Sequence, residues 1–339
     1  MYEKQIVHRD EGQRLDKYLL KILPNASASF LYKMLRKKNI TLNKKKASGS
    51  EKLSAGDVIQ IFFSDETLEK FMGHSVSAGN GLSAQYKQYA VEVVYEDADY
   101  LFLNKPAGML SQKAESDDYS INEWIIDYLL STEQLLREDL QSFRPSICNR
   151  LDRNTSGLVL AAKSIKGAQY LSEQLAKRSA EKYYLTIVEG VLQEPVLLKG
   201  YLQKDTKTNR VRVTKDTGSY IETAYTPLYH TNSYTLLKVH LITGKSHQIR
   251  AHLASIGHPI LGDRKYHGKK EPEKLADQFG LQYQLLHAYQ ITFPQRDTES
   301  NDSSRNSVCG KTFYAALPKQ FQEILQNIGY PLSADTITF

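Results

Sequence analysis

Apolar residues first recur at helical spacing near the amino terminus. Between Gln13 and Leu23, residues Leu15, Leu19, Leu20 and Leu23 share one side of a short amphipathic helix, which Pro24 and Asn25 stop. A second helix is predicted over Phe30 to Lys38, with Ser27 or Ser29 as its cap. Leu31, Met34 and Leu35 form its inner face, and Lys33, Arg36, Lys37 and Lys38 its outer face. Ile40 to Asn43 reads as a strand, Lys44 to Lys46 as a basic turn, and Gly56-Asp57 as a turn into the alternating strand Val58 to Phe63. From Ser64 to about Tyr86 the periodicity is lost, first among acids and then in Gly73-His74-Ser75-Val76-Ser77-Ala78-Gly79-Asn80-Gly81, a linker composition. Beyond it, strand-like runs (Leu101 to Leu103, Leu158 to Ala162, Tyr184 to Glu189, Thr235 to Leu241) alternate with helical runs and turns. Gln295 to Asn306 has almost no apolar residue and reads as a surface loop. The expected architecture is α+β: a mixed, mainly antiparallel central sheet flanked by helices over residues 87–335, a linker over 65–86, and a small α/β domain over 12–64.

Composition narrows the class. The 339 residues are 41% hydrophobic, enough to bury a sizeable core in about two domains. No run approaches the ~20 consecutive apolar residues of a membrane helix, and Glu3, His8, Asp10 and Glu11 interrupt any signal-peptide core, so a soluble cytoplasmic protein is expected. Cys148 and Cys309 are too few and too far apart for a disulfide framework or a zinc site. Net charge is +6, yet residues 13–62 alone carry a surplus of +8, which leaves −2 for the rest. A basic surface so localised suits a polyanionic partner, whose condensed counterions its lysines would displace.

Gly12-Gln13-Arg14-Leu15-Asp16, the basic second helix and Leu53-Ser54-Ala55-Gly56-Asp57-Val58-Ile59 resemble the S-four-like RNA-binding domain. In that family the second helix and the following turn touch RNA, which makes Lys33, Arg36, Lys37, Lys38, Lys44, Lys45 and Lys46 the candidate contacts. Their flexible ammonium groups suit phosphates better than base edges.

The sharpest chemical signal is Arg150-Leu151-Asp152-Arg153-Asn154-Thr155-Ser156-Gly157, running directly into the apolar strand Leu158 to Ala162 and so placing Asp152 on a loop at a strand entrance. In isolation, Asp and Asn in a turn hydrogen-bond their own backbone. The string resembles the signature of RluA-type pseudouridine synthases, however, and further segments match in order. These are Tyr95-Glu96-Asp97 through Asn104-Lys105-Pro106-Ala107-Gly108; Lys182-Tyr183-Tyr184; Thr243-Gly244-Lys245-Ser246-His247-Gln248-Ile249-Arg250; and Gly257-His258-Pro259-Ile260 with Gly262-Asp263 and Tyr266. The resemblance implies the family's catalytic fold, with Asp152 as its catalytic aspartate, Tyr184 as its active-site tyrosine and Arg250 as the arginine that pairs with the aspartate. It also implies an RNA partner, with large-subunit ribosomal RNA expected first and transfer RNA second, no cofactor and no metal, in a monomer.

These residue types suit a reaction that breaks the bond from ribose to uracil nitrogen, turns the base and forms a carbon–carbon bond. A deprotonated Asp152 can attack the sugar or the ring, or remove a ribose proton. A guanidinium favours and fixes that carboxylate. Tyr184 is either a core aromatic or a ring stacked on the uracil with a hydroxyl for proton transfer. Arg153 and Asn154 are placed to help extrude the base, at a cost of roughly a few kcal/mol per nucleotide. Arg250 is expected on a helix capped by Ser246, with Ile249, Leu253 and Ile256 as its buried stripe and Gly257 as its end; Lys105 and Pro106 are expected to shape a turn at the cleft. Two positions depart from the family pattern. Asn149 stands where many members have His, and Lys245-Ser246 where Arg-Thr is common.

Other chemistries fit less well. Gly244-Lys245-Ser246 lacks the glycine five positions earlier that a phosphate-binding loop needs, since position 239 is valine. His247, His252, His258 and His267 lack the spacing of a His-Glu-x-x-His zinc site. A glycosidase needs a second carboxylate ~5–10 Å from the first, and none stands out. A non-catalytic RNA-binding or ribosome-assembly protein would use the basic domain alone, leaving Asp152, Tyr184 and Arg250 unexplained.

Overall fold

The computed structural model describes residues 1–72, 82–205, 210–267, 274–295 and 306–331. In the amino-terminal part, strands β1 (Tyr2–Gln5), β2 (Ile40–Leu42), β3 (Lys45–Lys46) and β4 (Val58–Ile61) form an antiparallel sheet in the order β1-β4-β2-β3. Helices α1 (Leu15–Ile22) and α2 (Ala28–Arg36) bury Leu15, Tyr18, Leu19, Ile22, Leu31, Met34 and Leu35 in one cluster with Ile40, Ile59 and Ile61. Each such burial stabilises by about 1.5–3 kcal/mol, which a core this small needs. Of the two expected caps, Ser27 serves: its Oγ accepts from Phe30 N at 3.2 Å.

Three features differ from the sequence expectation. Tyr2–Gln5 supplies an edge strand beside β4, so the unit begins before residue 12. Lys45 and Lys46 pair with Leu42 and Thr41, and the turn falls one step earlier, on Asn43 and Lys44 with φ of 52° and 62°. Positive φ at both central residues matches the twist of a two-residue hairpin, and Asn43 tolerates it because its side chain bridges Asp57 and Val58 N, each at 2.8 Å. The first part of the expected linker is a helix, α3 (Asp65–Phe71), capped by Ser64 and packed through Leu68, Phe71 and Met72 on the same core. Phe71 lies 4.5 Å from Phe30, ring centre to ring centre. The acids dominate its sequence pattern, but only a narrow apolar face is needed to dock seven residues. The glycine-rich residues 73–81 lie outside the described residues, as do 296–305 of the expected surface loop and the last residues before 335.

The remainder contains strands β5 (Glu92–Glu96), β6 (Tyr100–Lys105), β7 (Ser146–Ile147), β8 (Ser156–Ala162), β9 (Glu181–Glu189), β10 (Val196–Lys204), β11 (Val211–Thr214), β12 (Ser219–His230), β13 (Tyr234–Leu241), β14 (Leu286–Thr292) and β15 (Thr312–Tyr314). Helices α4 (Ile121–Ser131), α5 (Ile165–Lys177), α6 (Gln248–Ser255), α7 (Lys274–Gln278) and α8 (Lys319–Asn327) accompany them. The eleven strands make one sheet in the order β11-β10-β12-β13-β9-β14-β8-β6-β5, with β15 beside β14 and β7 beside β8. Among the described residues every pairing is antiparallel except β8 with β14. This is the α+β architecture expected from the sequence. No helix of the described residues is long and apolar enough to cross a membrane.

The seven residues of β8 are all buried, and the parallel contact with β14 brings the two backbones very close at Gly157. A Cβ there would stand 2.2 Å from the Ala288 carbonyl oxygen, and φ is +111°, so only glycine fits. Next to it, His287 is fully buried, with Nε2 donating to Ala315 O at 3.2 Å and Nδ1 accepting from Ser156 Oγ at 2.8 Å. The two parts of the chain meet through polar contacts. Buried Asp10 accepts from Ser142 Oγ at 3.2 Å, Arg9 reaches Asp139 at 3.3 Å, His8 reaches Asp99 at 3.0 Å and Lys166 reaches Glu11 at 3.0 Å.

Burial pushes the His287 pKa down from its ordinary 6.5 to about 4. The unfolded chain therefore binds a proton here that the folded one refuses. Stability is full above pH 6.5, falls as pH drops toward 4, and levels off below that, losing roughly 3 kcal/mol through this residue. Urea denaturation across that range should show the loss, and His287→Gln, which keeps a donor and an acceptor, should remove this component.

Candidate active site

Asp152 ends a loop that the surrounding backbone grips from several sides. Ser111 Oγ donates to Leu151 O at 2.7 Å and accepts from Leu151 N at 3.0 Å. Thr155 N donates to Asp152 O at 3.0 Å, and Gly108 N to Arg153 O at 2.9 Å. Lys105 is fully buried, and its ammonium donates to the carbonyls of Pro106, Met109 and Arg153 at 2.9, 2.8 and 3.1 Å. Burial pulls its pKa down to about 7, against the opposing pull of Asp152. Lys105 thus ties the turn after β6 to the loop that carries Asp152, a sharper role than shaping a turn. Asn149, the departure from the family pattern, donates to Leu158 O at 3.2 Å and accepts from Leu160 N at 2.7 Å. A neutral amide performs both roles at once, so backbone support is intact.

Arg250 lies on the first turn of α6, 98 positions along the chain from Asp152, and NH1 donates to Asp152 Oδ2 at 3.0 Å. Its other edge is fully used by Asp263, with Nε to Oδ2 at 2.7 Å and NH2 to Oδ1 at 2.9 Å. Burial opposes the charge on Arg250, but Asp263 and then Asp152 outweigh it, so its pKa rises and it stays cationic. Asp263 is itself 1% exposed and accepts from the backbone of Lys265 and Tyr266. The expected cap is corrected: His247, in the left-handed region at φ 57°, precedes α6, and Ser246 does not cap it. Gln248 instead holds the helix start, accepting from Thr243 Oγ1 and Lys245 N and donating to Glu222 O and Thr223 Oγ1. Ile249 and Leu253 are buried as expected, whereas Ile256 is 37% exposed, because the chain turns away at Gly257 before its side chain meets the core.

Tyr184 sits in β9 between Val239 of β13 and Ala288 of β14, and faces the same cleft as Asp152 and Arg250. The cleft measures about 880 Å³. Burial first, and then the nearby Asp152 charge, push the Tyr184 phenol pKa well up, so its hydroxyl keeps its proton. Arg150, Arg178, Lys182 and Lys245 line the cleft as well. Burial and the neighbouring Arg178 lower the Lys182 pKa. Arg153 is exposed and commits only Nε, to Gly108 O at 3.1 Å, while Asn154 lines an adjoining hollow.

The seven cations Lys33, Arg36, Lys37, Lys38, Lys44, Lys45 and Lys46 are exposed on α2, the residues just after it and the β2–β3 hairpin, and among the described residues none forms an ion pair. They belong to the small sheet unit, separate in the chain from the cleft. The structure therefore brings Asp152, Tyr184 and Arg250 together and keeps the seven cations as a group of their own. The sequence reading assigned no role to Asp263 or to His247. Their only signal was membership of matching segments, since an acid 13 positions beyond a helical arginine has no periodic relation to it.

The RNA pseudouridylate synthase family model matches residues 99–255, and the S4 domain model residues 13–59. The chain is 30% identical over 328 residues to the ribosomal large subunit pseudouridine synthase C of Haemophilus influenzae, covering 94% of this chain and 92% of the relative. It is 32% identical over 296 residues to that of Pasteurella multocida, covering 86% of each, and 31% identical over 298 residues to that of Vibrio cholerae, covering 85% and 88%. Human RNA pseudouridylate synthase domain containing 4 shares the fold, with a TM-score of 0.56 at 20% identity over 70% of this chain and 92% of that one.

Removing Asp263 tests the shared arginine. Asp263→Ala leaves a buried guanidinium with one partly exposed partner and should lower stability by about 3 kcal/mol in urea denaturation. Asp263→Asn keeps the volume and should cost less, while both substitutions slow turnover more than they weaken RNA binding.

Proposed function

The chain belongs to the RNA pseudouridylate synthase family, and from that membership we propose that it isomerises uridine in large-subunit ribosomal RNA, with Asp152 as the catalytic carboxylate. The observation that carries the assignment is the pair of Asp152 and Arg250 at 3.0 Å, meeting at the wall of a cleft that also holds Tyr184. The names of the relatives from Haemophilus, Pasteurella and Vibrio support the choice of ribosomal RNA over transfer RNA.

Arg250 orients Asp152 and offsets its charge; held by two carboxylates, it is not a proton carrier. Asp152 acts on the ribose or on the uracil ring as the glycosidic bond to nitrogen breaks. The base then turns and the new bond forms from carbon. Tyr184 offers a face to the uracil, and its protonated hydroxyl serves as a hydrogen-bond donor in the proton movements that follow. Reaching a stacked base requires extruding it, which the exposed Arg153 and the half-buried Asn154 in the loop support. The unpaired cations on Lys33, Arg36, Lys37, Lys38, Lys44, Lys45 and Lys46 hold RNA phosphates. The division we propose is a small RNA-binding domain over 12–64, extended by its neighbouring strand and helix, and a catalytic domain over 87–335, acting as a monomer in the cytoplasm.

Mapping pseudouridines across ribosomal and transfer RNA in cells with the wild-type chain, a deletion or Asp152→Asn tests the proposal. Ribosomal positions absent from both the deletion and Asp152→Asn support it; lost positions in transfer RNA redirect the substrate; identical maps overturn the role of Asp152. A separate prediction concerns the basic patch. Replacing Arg36, Lys37 and Lys38 together by glutamine should weaken RNA binding about equally for all sequences and flatten the slope of log affinity against log salt by roughly 2, in a filter-binding titration.

A further inference from the structure

Asp152 has two carboxylate oxygens in different situations. Oδ2 accepts from Arg250 NH1 at 3.0 Å and faces His247 Nε2 at 3.8 Å. Among the described residues, no group hydrogen-bonds to Oδ1. What His247 presents to Oδ2 depends on which of its nitrogens carries the proton, and the surroundings decide that. His247 Nδ1 lies 2.8 Å from the Tyr266 hydroxyl, and the same hydroxyl oxygen accepts from Val211 N at 3.2 Å. Among the described residues the phenolic proton of the half-buried Tyr266 has no acceptor other than His247 Nδ1, and a hydroxyl gains free energy by donating to such a neighbour. Donation from Tyr266 to Nδ1 would leave Nε2 carrying the imidazole N–H on the side of Asp152.

We propose that His247 is a positioning residue: a neutral ring, set in one tautomer by Tyr266, whose N–H edge stands 3.8 Å from Oδ2 of Asp152 and, beside the hydrogen bond from Arg250 to that oxygen, leaves Oδ1 to react with the substrate. The inference rests on the assignment of Asp152 made above. Its geometry is built in several ways. His247 holds a left-handed backbone at the start of α6, its ring stands edge-on to Tyr266 at 90° with centres 5.7 Å apart, and the Arg250 guanidinium lies 5.1 Å from the centre of the Tyr266 ring. Val211 belongs to β11 at the sheet edge, so hydrogen bonds run from that strand through Tyr266 to His247, whose Nε2 then faces Asp152 Oδ2 at 3.8 Å.

The charged and titratable groups around the ring are Asp152 from the catalytic loop, Arg250 from α6, and Asp263, Lys265 and Tyr266 from the segment after it. Burial lowers the His247 pKa, with Asp152 opposing and Arg250 and Lys265 assisting. Protonation would make Nδ1 a donor, break the bond from Tyr266 and add a cation beside Arg250. The neutral form is thus the working form, and activity should fall on the acid side as His247 takes up a proton. Without the Tyr266 hydroxyl, Nδ1 is a freer base, its pKa rises, and the acid limb moves to higher pH.

The test is single-turnover pseudouridine formation on unmodified RNA from the deletion strain, with purified full-length variants whose melting temperatures are compared with wild type. His247→Ala should lower kcat by about 10- to 100-fold with little change in KM, within the range a positioned hydrogen-bonding group contributes. His247→Gln, which places an amide N–H near the position of Nε2, should recover most of the rate and lose the histidine's part of the acid limb. Tyr266→Phe should shift that limb to higher pH. A wild-type kcat in His247→Ala, a loss confined to KM, or an unmoved acid limb in Tyr266→Phe overturns the inference. If His247→Ala fails to fold, the His247→Gln and Tyr266→Phe pH profiles decide. An active Asp152→Asn protein would instead overturn the assignment of Asp152, whatever His247 does.

Discussion

One guanidinium shared by two carboxylates is the constraint around which the active cleft is organised. Arg250 turns one edge to Asp263, 13 positions along the chain, and one nitrogen to Asp152, 98 positions away. A buried ion pair is a weak source of stability, because removing two charges from water offsets most of their attraction. Its value here is geometric. The bidentate grip of Asp263 leaves the arginine few orientations, so the remaining nitrogen meets Asp152 in one place. A positioned carboxylate next to a fixed cation is what a reaction at a ribose or uracil carbon requires.

The sheet supplies the frame for that contact. The short parallel pairing of β8 with β14 and the antiparallel pairing of β9 with both β13 and β14 bring the entrance of β8, Tyr184 and α6 to one cleft. Two buried groups support the frame without touching the chemistry. His287 links Ser156 of β8 to Ala315, and Lys105 links three carbonyls around the loop that carries Asp152. A cation so deeply buried, satisfied only by backbone carbonyls, is costly, and its pKa near 7 reflects that cost. Electrostatics divide the molecule in a complementary way: acids such as Asp99 and Asp139 meet the amino-terminal unit, while that unit's exposed cations on α2 and the β2–β3 hairpin form no ion pair among the described residues.

The sequence by itself determined the class of fold, the two amino-terminal helices, the place of Asp152 at a strand entrance and the basic surface. Each follows from local information: periodicity, a capping serine, a loop running into an apolar strand, or a count of charges. The chemistry came from motifs rather than physics, since nothing local distinguishes Asp152 from an aspartate in an ordinary turn. Local signals also misled where two elements compete for the same residues. The acids of Asp65–Phe71 concealed a helix whose few apolar residues find the small core, and Ser246 looked like a cap although no side chain caps α6 and Gln248 ties its start to Thr243 and Lys245. Only the tertiary structure decided the partners of Arg250, the role of Lys105 and the approach of His247 to Asp152. These are contacts between residues 13 to 98 positions apart, and their directions depend on how the strands of one sheet are ordered. A linear pattern carries no record of that order.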